Sequence, residues 1–198
     1  MNPILIDLPM PILTPRLCLK PREMGEGPII NQAICSSLDH LKPWLPFAKK
    51  APTIEESEEH CRRSLAKFIL REDMTLSIYS RDRKNFIGST GLHRAKWEVR
   101  SFHIGYWVVA AFEGQGLITE AANALTRYAF QVLRARRVEI RCDLENARSL
   151  SVSKRLGYVQ EGALKNDDVD AREPELVRDT IVTARYDDNG LPALEVLW

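Results

Sequence analysis

The chain has 198 residues, 44% hydrophobic and 28% charged, with a formal net charge of +1. These values suit one soluble globular domain with a sizeable core. They exclude a global field that would recruit nucleic acid or an anionic membrane surface, so any anion site must be local. The start, Met1-Asn2-Pro3-Ile4-Leu5, lacks a basic region before its proline-broken apolar stretch, and no apolar run approaches the length of a membrane span. Cys18, Cys35, Cys61 and Cys142 form no C-x-x-C pair, and His40, His60, His93 and His103 are dispersed. The expectation is a cytoplasmic protein with free thiols and no metal site.

Residues 1–12 read as an extended lead-in, 13–186 as one domain and 187–198 as a tail ending in apolar Leu197-Trp198. Arg16 to Lys20 alternates polar and apolar and predicts a first strand that stops at Pro21. Residues 23–38 are weakly helical. The two prolines of Leu41-Lys42-Pro43-Trp44-Leu45-Pro46-Phe47 forbid a long helix, leaving a loop anchored in the core or one wall of a pocket. Thr53-x-x-Glu56 is a capping box that opens a helix to about Arg71. Thr75–Tyr79, Phe86–Leu92 and Phe102–Val109 read as strands joined by short polar turns, which implies an antiparallel meander. A helix over about 116–133, a strand over 137–143 and a helix over 147–156, stopped by Gly157, follow. Strands over 158–162 and 175–186 flank an acidic loop, Asn166-Asp167-Asp168-Val169-Asp170.

Between the strand at 102–109 and the next helix lies Glu113-Gly114-Gln115-Gly116-Leu117-Ile118-Thr119. A strand, a glycine turn and a helix start aim several backbone N–H groups at one spot, with the positive end of the helix dipole behind them, and such a spot binds phosphate. No Gly-Lys-Ser/Thr follows, which excludes a Walker-type loop. Spacing alone leaves a dinucleotide site open. However, Thr119 stands where that fingerprint wants a third glycine, and a mid-chain position after a meander disfavours it.

Six motifs in order carry a resemblance: Leu13-Thr14-Pro15-Arg16-Leu17; Leu41-x-Pro43-Trp44-Leu45; Ile87-Gly88-x-x-Gly91-Leu92; Ile104-Gly105-Tyr106-Trp107; Gly114-Gln115-Gly116-x-x-Thr119-Glu120-Ala121; and Asn146-x-x-Ser149 with Leu156-Gly157-Tyr158. From about Leu13 to Tyr186 the chain resembles the GNAT superfamily of acyl-CoA N-acyltransferases, and within it the ribosomal-protein N-terminal acetyltransferases of the RimJ/RimL type. The resemblance implies an α+β fold: a mostly antiparallel, V-splayed mixed sheet of about seven strands flanked by helices. It also implies acetyl-CoA as co-substrate, with no metal. Pantetheine would insert where the strands at 102–109 and 137–143 part, against the backbone of Trp107, Val108 and Val109. The pyrophosphate would lie on the N–H groups of Gly114, Gln115, Gly116, Leu117, Ile118 and Thr119. Glu113 and Ile118 depart from the family's usual Gln or Arg and Gly or Ala. An acidic Glu113 beside a pyrophosphate is unfavourable unless it turns away, which points to Arg148, Lys154 and Arg155 as offsetting cations.

Acyl transfer to an amine needs a neutral amine, a donor for the oxyanion and a proton for the leaving thiolate. By the same resemblance, the N–H of Val108 or Val109 serves the oxyanion, Asn146 bonds the pantetheine amide, Ser149 protonates the thiolate and Asp168 is the general base. The region after Ser149 holds no tyrosine, the residue many other family members use as the acid. An α-amine with a pKa near 8 is about 10% neutral at pH 7, against below about 0.1% for a lysine, so an α-amine asks less of a base. The implied acceptor is a ribosomal or other protein N-terminus. A small primary amine stays open, as do a non-catalytic acyl-CoA sensor and a monomer or homodimer.

Overall fold

The computed structural model describes residues 2–170, 173 and 175–198. In chain order the elements are β1 (Ile12–Leu13), β2 (Leu17–Pro21), α1 (Gly27–Ser36), α2 (Leu38–Leu41), α3 (Ile54–Leu70), β3 (Met74–Ser80), β4 (Phe86–Lys96) and β5 (Ser101–Val108). They continue with α4 (Leu117–Gln131), β6 (Arg137–Asp143), α5 (Ala147–Arg155), β7 (Val159–Val169) and β8 (Val177–Arg185). The strands form one sheet in the order β1-β2-β3-β4-β5-β6-β8-β7. Every neighbouring pair is antiparallel except β5 and β6.

That exception makes the site. β5 and β6 pair only through Ser101↔Arg137, Phe102↔Val138 and His103↔Glu139. From Ile104 onward β5 loses this partner while keeping β4 on its other side, through Gly88↔Val108. The V-splayed sheet follows from the chain order: a meander ends in β5, α4 crosses over, and β6 returns parallel to it, which only a long crossover permits. α4 lies across one face, with Ala121, Leu125 and Tyr128 in a core shared with Leu19, Leu76, Leu92 and Ile104. On the opposite face, Ile30 and Ile34 of α1 and Cys61 of α3 pack on Cys18, Tyr79 and Phe86. α3 opens on the predicted capping box: Thr53 Oγ1 accepts from the Glu56 N–H at 3.1 Å, and the Glu56 carboxylate accepts from the Thr53 N–H at 2.8 Å.

One expectation is sharpened and one needs correction. The sheet has eight strands, because the two-residue β1 pairs with β2 and meets Leu197 of the chain end in an isolated bridge. Trp198 closes edge-on to Tyr128, with 5.6 Å between ring centroids. The acidic stretch read as a loop is instead the end of β7, where Asp168 pairs with Arg178 and Val169 with Val177. β7 is an edge strand, exposed along nearly its whole length. Polar residues therefore occupy both of its faces, and the alternation that marks a half-buried strand is missing.

Candidate active site

After β5 the chain makes a short turn over Ala110–Phe112 and enters α4 through two glycines in the left-handed region, Gly114 at φ 73° and Gly116 at φ 75°. Only glycine adopts these values without strain. Gly116 is the residue that caps α4, and the first bond of the helix ladder runs from the Glu120 N–H to the Gly116 carbonyl. The N–H groups of Leu117, Ile118 and Thr119 thus lie ahead of the ladder, at the positive end of a 15-residue helix. A clamp fixes the loop: Glu120 accepts from Thr14 Oγ1 at 2.6 Å, from the Arg16 N–H at 3.1 Å and from Arg16 Nε at 2.5 Å, and Arg16 also donates to the Gln115 carbonyl at 2.9 Å. The motif around Thr14 and Arg16 therefore braces the glycine loop from the other end of the chain.

The side chain of Glu113 turns to Arg148, at 2.5 Å, and to His40, at 3.2 Å. Across the wedge, Asn146 caps α5 by accepting the Ser149 N–H at 3.0 Å. The Ser149 hydroxyl lies 2.9 Å from the hydroxyl of Tyr106 on β5. Burial pushes the Tyr106 phenol well above its ordinary pKa, so it stays a neutral donor. Burial likewise raises the pKa of the Cys142 thiol, which also bonds Ser149.

A cavity of about 890 Å³ follows the open edge of β5, from the glycine loop to the Tyr106–Ser149 pair. A second, polar cavity of about 200 Å³ adjoins it and shares Trp44, His103, Arg141, Cys142 and Asp143 as walls. Backbone alternation decides which N–H groups of β5 face the wedge. The Val109 N–H donates to the Ile87 carbonyl on the β4 side at 2.9 Å. Successive residues point opposite ways, so Ile104, Tyr106 and Val108 present their N–H groups to the wedge.

The sequence profile of the acetyltransferase (GNAT) domain matches residues 16–159. The chain belongs to the GNAT acetyltransferase family. It is 30% identical over 140 residues to the ribosomal-protein-serine acetyltransferase of Escherichia coli (strain K12), a match covering 69% of this chain and 75% of that protein. Among solved structures it is similar to RimL, a ribosomal L7/L12 alpha-N-protein acetyltransferase in complex with coenzyme A, with a TM-score of 0.81 at 20% identity over 88% of this chain and 96% of that one. The microcin C7 self-immunity acetyltransferase MccE, in complex with acetyl-CoA and AMP, has a TM-score of 0.81 at 18% identity over 87% and 93%. At these identities the structural matches speak to the fold, which is the GNAT fold.

In this GNAT acetyltransferase, Trp107, Val108, Glu113, Gly114, Gln115, Gly116, Ile118, Thr119, Asn146 and Ser149 all line the larger cavity. Four expected residues are not part of that lining. Val109 has its side chain in the core and its N–H committed to Ile87, so it cannot serve as oxyanion donor. Leu117 buries its side chain in the main core, leaving only backbone to offer. Lys154 lies on the exposed side of α5, outside the lining; Arg148 and Arg155 reach the cavity instead, because helix periodicity turns Lys154 away. Asp168 lies in the smaller cavity with Asp143 and Asp167. The stretch at 41–47 both anchors and lines: Leu41 is buried, Trp44 borders both cavities, and Phe47 packs against Trp107 at 6.3 Å. Sequence reasoning missed Arg16 and Tyr106. Tyr106 was legible as the same-face neighbour of Ile104 and Val108, but a tyrosine sought only after Ser149 overlooks one arriving from the facing strand.

Proposed function

We propose that this enzyme transfers acetyl from acetyl-CoA to a protein N-terminal α-amine, by direct attack within a ternary complex. The observation that carries the reading is the Ser149–Tyr106 hydroxyl pair at the inner end of a cavity whose outer end is an N–H cradle. The cradle suits a pyrophosphate: the N–H groups from Gly114 to Thr119 and the Arg16 guanidinium converge there, and the Glu113 carboxylate is ion-paired with Arg148 and in contact with His40. Bound acetyl-CoA supplies an activated acyl group and a thiolate leaving group. Tyr106 and Val108 present N–H groups along the open edge of β5, Val108 being positioned for the developing oxyanion. Asn146 orients the pantetheine amide. Ser149 gives its proton to the departing sulfur, with Tyr106 holding its hydroxyl in line.

The acceptor enters from the smaller cavity, where Asp168 receives the first proton of the incoming ammonium directly or through water. The 30% identical ribosomal-protein-serine acetyltransferase supports an N-terminal serine as the preferred acceptor. Thiol release from acetyl-CoA is the test. Turnover is expected with a short peptide bearing a free N-terminal serine. Little is expected with the same peptide N-blocked, even when it carries a lysine. Equal turnover of small amines would shift the acceptor class. Coenzyme A binding by calorimetry with no turnover of any amine would overturn catalysis in favour of an acyl-CoA sensor.

A further inference from the structure

β4 and β5 keep one register from Gly88↔Val108 to His93↔His103, then slip and resume at Lys96↔Ser101. Arg94 and Ala95 therefore stand opposite the single Phe102, a β-bulge with its extra residue on β4. Arg94 takes the left-handed conformation, φ 48°, which a bulge of this kind normally gives to glycine. An arginine there carries strain that glycine would not. The bulge also changes where the side chain goes. Strict alternation would send Arg94 to the same face as Leu92, which lies in the main core. Ala95 takes the core-facing place instead, packed against that core, and Arg94 joins the wall of the smaller cavity. Bulges beside active sites re-aim side chains in this way.

Other charged groups of that wall are already engaged. Arg141 donates through Nε to Glu139 at 2.8 Å, and the Asp143 carboxylate lies 3.5 Å from the guanidinium of the buried Arg178. Arg94 is exposed and makes no hydrogen bond or ion pair among the described residues. It shares the cavity with two exposed carboxylates, Asp167 and Asp168, of which Asp168 accepts the N–H of its neighbour Val169. No contact among the described residues compensates the strain at Arg94, and strained backbone persists where a function holds it. The uncommitted guanidinium therefore points to a ligand.

A guanidinium presents a planar fork of N–H donors that matches a carboxylate. Under the acetyltransferase reading above, on which this inference rests, the acceptor's ammonium goes to Asp168 in the same cavity. A ligand with an ammonium for Asp168 and a carboxylate for Arg94 engages both signs of charge there. A sphere with the cavity's volume of about 200 Å³ is about 7 Å across, the length of two extended residues. The carboxylate therefore belongs within two residues of the accepting amine. We propose that Arg94 sets acceptor specificity by pairing with an aspartate or glutamate side chain at the second residue of the peptide, next to the residue that is acetylated.

Arg94 touches the acceptor's second residue and not the reacting atoms, so its effect falls on the choice among acceptors. Asp167 and Asp168 by themselves would repel an acidic side chain and attract a basic one. Arg94 is thus the residue that sets the sign of the preference. A lysine at the second residue meets a like charge. An asparagine fills the same space as aspartate but offers the guanidinium only a neutral amide. Because the pair is open to water, the gain of aspartate over asparagine is roughly fivefold and weakens as salt is added.

The test uses acetyl-CoA and three serine-initiated peptides that differ only in carrying aspartate, asparagine or lysine at the second residue. In the unsubstituted enzyme kcat/KM is expected to be roughly fivefold higher for the aspartate peptide than for the asparagine one, with the lysine peptide lowest. Arg94→Gln should level the aspartate and asparagine peptides, and Arg94→Glu should put the lysine peptide first. A merely structural role would lower all three together. That outcome, equal use of the three by the unsubstituted enzyme, or an unchanged order in Arg94→Glu overturns the proposal. Free serine and serinamide test the other source of a carboxylate. Faster acetylation of free serine, abolished in Arg94→Glu, would put the carboxylate on the accepted amino acid itself and overturn the assignment to the second residue. If no peptide is acetylated, the acetyltransferase reading fails, and calorimetry of the three peptides with the coenzyme A-saturated protein then decides Arg94. The aspartate peptide is expected to bind best and to lose that lead in Arg94→Glu; equal binding, or none, counts against it.

Discussion

The two sides of the wedge are built in different ways. The side from the glycine loop to α5 is made from short contiguous pieces: 114–119 is one turn and one helix start, and 146–149 is one cap. Its recognition groups are largely backbone N–H. The side facing the smaller cavity is assembled from Trp44, His103, Asp143 and Asp168, which come from four separate stretches of chain, and its groups are side chains. A backbone cradle tolerates variation in sequence as long as φ values are kept. A side-chain pocket changes its ligand with each substitution. The fold thus keeps one substrate constant and leaves the other free to vary.

Ser149→Ala should have the largest effect and breaks the comparison most directly, because Ser149 is the one side chain on the cradle side assigned chemistry. We expect kcat to fall roughly 100-fold with coenzyme A affinity unchanged. Tyr106→Phe, which keeps the ring but removes the hydroxyl 2.9 Å from Ser149, should cost about tenfold in kcat. Steady-state kinetics with the two substrates varied separately reads both. A fall in affinity for acetyl-CoA without a fall in kcat would reassign the pair to binding.

Next comes the cradle itself. Gly116→Ala forces a residue with a Cβ to φ 75° at the head of α4, a strain of about 1–2 kcal/mol. If the strain is relieved by moving the loop, coenzyme A should bind about tenfold more weakly while the acceptor KM hardly moves. Glu113→Gln is smaller and opposite in sign. It frees Arg148 from its ion pair beside the cradle, and coenzyme A should bind about threefold more tightly, an effect that salt erases. Calorimetry at two ionic strengths checks it.

How much of this was legible in the sequence follows the same division. The meander, the glycine loop, the capping box at Thr53 and the lone parallel pair could be read because each is a local pattern or follows from chain order. Tyr106 could not be tied to Ser149, because their meeting depends on β5 and β6 diverging by just enough to admit α5's first turn. β7 was misread because an edge strand exposed on both faces has no hydrophobic period to read. Val108 and Val109 stayed alternatives as oxyanion donor, since sequence does not say which of two successive N–H groups faces β4. His103 looked like one more dispersed histidine until the end of the β5–β6 pairing put it at the vertex.

Asp168→Asn should have the smallest effect, and its smallness is informative. Asp168 is exposed, its Oδ1 accepts the N–H of Val169 at 2.8 Å, and it shares the smaller cavity with Asp143 and Asp167 as well as Arg94 and Arg141. A carboxylate in contact with water attracts an ammonium weakly, and its neighbours partly substitute for it. With about 10% of an α-amine already neutral at pH 7, the enzyme gains little from a strong base at this point. The acceptor KM should therefore rise by about two- to threefold at low salt, with kcat and the acetyl-CoA KM unchanged, and the difference should shrink as salt is added. A loss of kcat that grew as the pH fell would instead put proton removal at Asp168 on the rate-limiting path, and the smaller cavity would then hold chemistry as well as the acceptor.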